Sequence, residues 1–255
     1  MTGPVDEDRL LDVLETETLL LAASAAAADH DRPVPACPGL TVGETARHLG
    51  SVQRMVLTWI RTGERPVNWD REPAQGEAVE DWLRDGLRAL LGELAAHAPG
   101  EPCPTWHPDQ HTYLFWRRRM AHESTVHRVD VQSAANGGGH DPIPESVALD
   151  GIDEVLTVWF TRRLAELGVV GTRAATVVVQ AAGRSWLAEM GVDRTAASPA
   201  PPEAAESADA VVTAEPTALY LWLWGRSAVF DQGLHRQGDM DAVAQLWALL
   251  RLATR

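Results

Sequence analysis

Glu123 and His127 stand four residues apart in the stretch Trp116 to Asp130, W-R-R-R-M-A-H-E-S-T-V-H-R-V-D. On a helix that spacing places a carboxylate and an imidazole on one face. Met120 precedes them on it and Val131 and Ala134 follow, so the face is otherwise apolar. Such groups on a buried stripe are costly unless they are paired or bind a cation. Zinc and similar divalent ions take imidazole nitrogen and carboxylate oxygen, and catalytic sites keep one position open. A third ligand must come from elsewhere, and His48 is the best candidate. It shares a helical stripe with Val52, Met55, Val56 and Trp59 and is expected to point inward. Its approach to Glu123 requires only that two helices be neighbours. A buried Glu–His hydrogen bond, with His48 as a satisfied core histidine, accounts for the same spacing without a metal.

Four nearby residues have weaker claims. His122 adjoins Glu123, so it points about 100° away around the helix and reads as flanking. H-E-S-T-V-H is therefore not the zincin pattern, in which the two histidines are four apart. Of Arg117, Arg118 and Arg119, at most one faces a cleft. Arg119, four before Glu123, is that one, and an ion pair with Glu123 explains it equally well.

The elements that must position these residues follow from periodicity and punctuation. Residues 6–29 read as a helix with Leu11, Leu14, Leu21, Ala25 and Ala28 on one side. Pro33, Pro35 and Pro38 break it. Thr41 opens the second helix with Glu44 completing a capping box, and the helix runs to about Arg61 and Gly63. The third carries Val79, Leu83, Leu87, Leu90 and Leu94. The fourth spans about Asp109 to Ala135 and stops at Asn136-Gly137-Gly138-Gly139. Four long helices with proline-rich connections describe a bundle, whose core is where such folds hold cofactors.

Beyond the glycines the texture changes. A helix from Pro144 to Gly168 precedes a strand over Ala174–Ala182 with a hairpin partner at Ser185–Met190. Thr195–Ser207 reads as a mobile, low-complexity loop, and Asp209–Ala214 as a third strand. Pro216 starts a helix at its favoured first position, and Asp239 caps a last one through Leu252. The expected class is α+β, with a bundle over residues 1–138 and a smaller α/β domain over 139–255.

The totals exclude several chemistries. The chain contains no lysine; all 22 basic residues are arginine. Lysine Schiff bases and a Walker A phosphate loop are thereby ruled out, because each requires an ammonium. A formal net charge of −14 argues against nucleic acid and anionic membrane as partners. Cys37 and Cys103 make neither a disulfide framework nor a zinc cage. The acidic start at Asp6, Glu7 and Asp8, and an apolar run no longer than Leu19–Ala28, lead to the expectation of a cytoplasmic protein. The ten tryptophans read as core and cleft wall.

The stretches T-V-G-E-T-A-R-H-L-G at 41–50, R-M-A-H-E-S-T-V-H-R-V-D at 119–130 and L-W-L-W-G-R at 221–226 resemble the mycothiol-dependent maleylpyruvate isomerase family. That family belongs to the DinB-like superfamily of metal-binding four-helix bundles, and the resemblance covers essentially the whole chain. It implies a metal triad of His48, Glu123 and His127 around a divalent ion, usually zinc. Asp130 falls on the family's acidic position. It reads either as an acceptor orienting a ligand imidazole or an arginine or as a surface carboxylate paired with Arg128 or another arginine. Arg226 resembles a C-terminal-domain arginine that serves the site and could grip a substrate carboxylate; a helix-terminal arginine also compensates the helix dipole.

The implied activity is activation of a low-molecular-weight thiol, mycothiol, on the metal for addition to an electrophilic small molecule. Cys37 and Cys103, both in proline-rich loops, are not placed to supply that thiol. In an isomerase, the thiolate adds to a conjugated double bond, the bond rotates while single, and the thiol leaves. In an S-transferase the thiol stays attached. Two rivals remain open at the level of sequence: a non-catalytic metal- or ligand-binding module, and a thiol-independent metal hydrolase.

Overall fold

The computed structural model describes Glu7 and residues 9–254. Of the described residues, those up to Pro142 form one compact unit and those from Ile143 onward a second.

The first unit consists of four helices. Helix α1, Arg9–Ala26, buries Leu10, Leu14, Leu21, Ala22 and Ala25. It ends before the expected residue 29, and residues 6 and 8 of the expected helix lie outside the described residues. Helix α2, Val42–Thr62, begins with the expected capping box. Glu44 N–H donates to Thr41 Oγ1 (3.3 Å), and Thr41 N–H donates to Glu44 Oε2 (2.8 Å). Two orphan donors of the first turn are thus satisfied. Gly63 closes the helix at φ 83°, a left-handed conformation that glycine adopts without a Cβ clash. Helix α3, Val79–Ala95, buries Leu83, Leu87, Leu90 and Leu94.

Helix α4, Tyr113–Ala135, starts four residues later than the sequence suggests. Residues 109–112 spend their backbone groups elsewhere. Gln110 C=O accepts from Thr105 Oγ1 (2.6 Å), His111 C=O accepts from Cys103 N–H (2.9 Å), and Thr112 bridges Pro102. Helix α1 packs on α3 and α4, and α2 packs on the same two, so α2 and α4 are neighbours. The chain between α1 and α2 is anchored to the end of α4. Arg32 Nη1 donates to the carbonyls of Ala134 (3.2 Å) and Ala135 (2.8 Å), which supplies partners for C-terminal carbonyls that a helix leaves open.

The second unit is a five-stranded mixed sheet with helices. The strands are β1 Ala175–Ala181, β2 Arg184–Met190, β3 Thr195–Ala200, β4 Ala210–Thr213 and β5 His235–Gly238, in spatial order β3-β2-β1-β4-β5. Only β1 and β4 pair in parallel. Strands β1 and β2 form the expected hairpin, with Ala182 (φ 47°) and Gly183 (φ 75°) in the two-residue turn. Two positive φ angles suit the right-handed twist of the flanking strands.

Two expectations for this unit are corrected. Thr195–Ser207 is not a mobile loop. It forms edge strand β3 and a 3-10 turn over Pro202–Glu206, and Thr195 Oγ1 donates to Phe160 O (3.0 Å). Pro199 is tolerated because an edge strand leaves one side without a ladder partner. The Pro144–Gly168 helix has three parts: α5 Glu145–Glu154, a π-helical segment Val155–Arg163, and α6 Leu164–Leu167. Thr161 Oγ1 reaches back to Leu156 O (3.0 Å), and Leu164 N–H to Trp159 O, in step with the wider π turn. The short strand β5 carries too little alternation to be read from sequence. Helices α7 Pro216–Leu223 and α8 Met240–Ala253 begin at Pro216 and after Asp239 as expected. Among the described residues no helix is long and apolar enough to cross a membrane.

Candidate functional site

Three side chains from α2 and α4 converge in the first unit. Glu123 Oε1 lies 3.3 Å from His48 Nε2 and 3.3 Å from His127 Nε2. The two imidazoles meet edge to face, with ring centroids 5.0 Å apart. Glu123 Oε2 faces the other way and accepts from Arg119 Nη2 at 2.8 Å. One carboxylate oxygen is therefore held by the guanidinium while the other joins two imidazole nitrogens. The geometry realises the Arg119–Glu123 ion pair that the sequence offers as one reading of Arg119.

The donor spacing can be tested against a cation. Ligands at about 2.0–2.2 Å in a tetrahedron stand roughly 3.3 Å from one another. The two nitrogen–oxygen separations match that edge length, and the donor atoms of His48, Glu123 and His127 all fall within 4.8 Å of one another. The residues fit a divalent ion with an open fourth position. The side chain of His127 is 11% exposed and that of Glu123 18%, but that of His48 is 41% exposed. The expectation of an inward-pointing His48 is thus corrected. It stands at the rim, where the cluster opens to solvent, rather than in the core.

Behind the cluster, His127 Nδ1 lies 3.1 Å from Asp130 Oδ2, and the Asp130 side chain is fully buried. Asp130 does not pair with Arg128, which turns instead to Glu17. The i,i+3 spacing on α4 makes the His127 contact local. The contact gives Nδ1 an acceptor that orients the ring and turns Nε2 toward Glu123.

Electrostatics follow this arrangement. Burial pushes the Glu123 carboxyl up, but hydrogen bonds from His127 and His48 and the charges of His127 and Arg119 outweigh it and hold the group well below its ordinary range. For His127, burial disfavours the imidazolium, yet Asp130, Cys37 and Glu123 together carry its pKa well above the usual value. The cluster is built to stabilise positive charge at its centre.

Cys37 is the residue that sequence reasoning dismissed. Its thiol donates to Asp130 Oδ2 at 3.2 Å. A proline-rich loop was expected to keep it remote; instead the loop is a tight turn, with Val34 N–H to Leu40 O (2.9 Å), Cys37 N–H to Val34 O (3.0 Å) and a bridge from Pro33 to Thr41. No spacing signal links positions 37 and 130, so only the fold could bring them together. Cys103 behaves otherwise: it is buried, and burial with Glu93's charge raises its thiol to about 11. Arg226 belongs to the second unit, where its Nη1 donates to Trp224 O at the end of α7 (2.6 Å). His122 is wholly buried, and Arg117 caps carbonyls of Leu94 (3.0 Å) and His97 (2.6 Å).

Comparison with known proteins supplies the context. Residues 11–132 match the family model for the mycothiol maleylpyruvate isomerase N-terminal domain, and residues 146–245 match the model for the C-terminal domain of the same proteins. The chain belongs to the mycothiol-dependent maleylpyruvate isomerase family. Among solved structures it resembles that of the mycothiol-dependent maleylpyruvate isomerase, at 15% identity and a TM-score of 0.54, covering 93% of this chain and 97% of the other. A histidine-to-alanine variant of a mycothiol-dependent maleylpyruvate isomerase is similar at 12% identity and a TM-score of 0.60, with the same coverage. At these identities the likeness is one of fold. No curated protein sequence matches the chain.

Proposed function

We propose that this member of the mycothiol-dependent maleylpyruvate isomerase family is a metalloenzyme that activates a low-molecular-weight thiol, mycothiol, for addition to an electrophilic small molecule. The observation that carries the reading is the pair of 3.3 Å separations joining His48, Glu123 and His127, each the length that an edge of a metal-ligand tetrahedron would have. A divalent ion such as zinc, bound there, supplies the positive charge that turns a thiol into a thiolate at neutral pH.

The protein's own residues do the rest. Arg119 fixes Glu123 Oε2, so that Oε1 is presented to the two imidazoles. Asp130 holds the His127 Nδ1 proton and aims Nε2 at the same point. The exposed edge of His48 leaves the cluster accessible to a thiol and its partner. Addition to a conjugated alkene followed by rotation and loss of the thiol gives isomerisation; retention of the thiol gives an S-transferase. Both begin with the same nucleophile.

The test combines metal analysis of the purified protein with mass spectrometry after incubation with mycothiol and a panel of activated alkenes. The reading predicts one equivalent of divalent metal and thiol-dependent isomerisation or adduct formation. Protein that carries no stoichiometric metal and takes up none on zinc titration refutes it, and hydrolysis of esters or amides without thiol replaces it with a hydrolase. His48→Ala should lose the metal while helical content persists, since the residue stands at the rim of the bundle.

A further inference from the structure

The imidazole of His127 has two nitrogens, and the cluster described so far employs one. On the other side Nδ1 meets Asp130 Oδ2 at 3.1 Å, and the same oxygen is 3.2 Å from Cys37 Sγ. These three donors, like the first three, lie within 4.8 Å of one another. We infer that Cys37, Asp130 and His127 form a second cation position, for a soft divalent ion, back to back with the first.

The donor chemistry distinguishes the two positions. The first offers two nitrogens and one oxygen; the second replaces one nitrogen with sulfur, which favours thiophilic ions such as cadmium. At zinc's bond lengths, sulfur at about 2.3 Å and oxygen at about 2.0 Å from a tetrahedral centre stand roughly 3.5 Å apart, so Cys37 and Asp130 need part by a few tenths of an ångström, and further for the larger cadmium ion. Entry of the ion displaces the thiol proton of Cys37 and the Nδ1 proton of His127 to solvent, and no oxidant is required. A neutral imidazole has one lone pair, so ligation through Nδ1 leaves the proton on Nε2 and withdraws His127 from the first position. The inference shares His127 with the proposed function but does not require it, because His48 and Glu123 play no part.

Cadmium titration of the full chain, followed by the ultraviolet thiolate-to-cadmium charge-transfer band, tests it. The band should saturate in the wild type, vanish in Cys37→Ser, and persist in Cys103→Ser and His48→Ala. Asp130→Asn keeps the sulfur and removes the carboxylate, and should weaken cadmium binding at least about tenfold. Circular dichroism checks that each variant folds. A wild type without the band, a band that survives Cys37→Ser, or an Asp130→Asn protein that binds cadmium as the wild type does would overturn the inference. The His48→Ala protein separates the two readings: zinc lost with the band intact supports both, whereas zinc retained even when Cys37→Ser is added refutes the first position and leaves the second to be judged by its band.

Discussion

Helix α4 buries charge on two of its sides, and the two sides have opposite designs. On one, Arg128 Nε donates to Glu17 Oε2 at 2.6 Å, while its Nη1 donates to Gln132 Oε1 (3.0 Å) and Asp141 O (2.6 Å). Gln132 Nε2 in turn donates to Asp141 Oδ2 (2.7 Å), and Asp141 N–H returns to Gln132 Oε1 (2.9 Å). Donors and acceptors close on one another, and the Arg128 side chain has no exposure at all. On the other side, Arg119 holds one oxygen of Glu123 and the Cys37 thiol donates to Asp130, while Glu123 Oε1 stands between the imidazoles of His48 and His127. The closed network ties α4 to α1, whereas the open one is the proposed cation site. Buried charge by itself does not mark a site; the proposed one is distinguished by metal-ligating side chains whose donor atoms lie within 4.8 Å of one another.

The largest expected effect breaks the closed side. Arg128→Met leaves Glu17 buried and uncompensated and should cost about 3–5 kcal/mol in urea denaturation. Adding Glu17→Met should recover much of that loss, because a matched apolar pair removes both desolvation penalties. No such recovery would mean that the network is worth more than its ions.

The two cysteines sharpen the contrast in a second way. With its thiol at about 11, Cys103 is only about a thousandth thiolate at pH 8, and its iodoacetamide labelling should rise about tenfold per pH unit up to pH 10. The sign follows from the acid: a raised thiol pKa keeps the neutral form dominant until the pH climbs past it. Peptide mapping at pH 8 that finds Cys103 modified before the half-buried Cys37 would contradict the assignment.

A smaller effect falls on the open side. Asp130→Asn keeps the shape of the side chain but loses the anion behind His127, and zinc affinity should drop about 10–100-fold with the fold intact. Isothermal titration measures it; an unchanged affinity would reduce Asp130 to a packing residue. The smallest effect is local. Thr41→Ala removes the cap of the helix that carries His48 and should cost about 1 kcal/mol of stability with little change in zinc affinity.

Much of this was legible in the chain. The Glu123–His127 spacing, the Thr41–Glu44 capping box and the glycine stop after α4 depend on contacts within a few residues, which helical geometry dictates once the helix forms. The same locality explains why β3 and β5 were illegible: each is a short edge strand whose identity comes from the neighbour it pairs with, not from its own pattern. Asp130 stands between these cases. Its spacing from His127 allowed the contact, but Arg128 offered an equally local alternative, and the choice fell to Glu17, more than a hundred residues away.

By itself, then, the sequence determined the shared face of Glu123 and His127 on α4, the absence of lysine chemistry and the order of bundle before sheet. Only the tertiary structure decided that His48 faces that pair from the rim, that Cys37 folds in behind Asp130, and that Arg128 turns away. The physical reason is that helix periodicity is set by bonds four residues apart, whereas partners on different elements are selected by packing the whole unit at once.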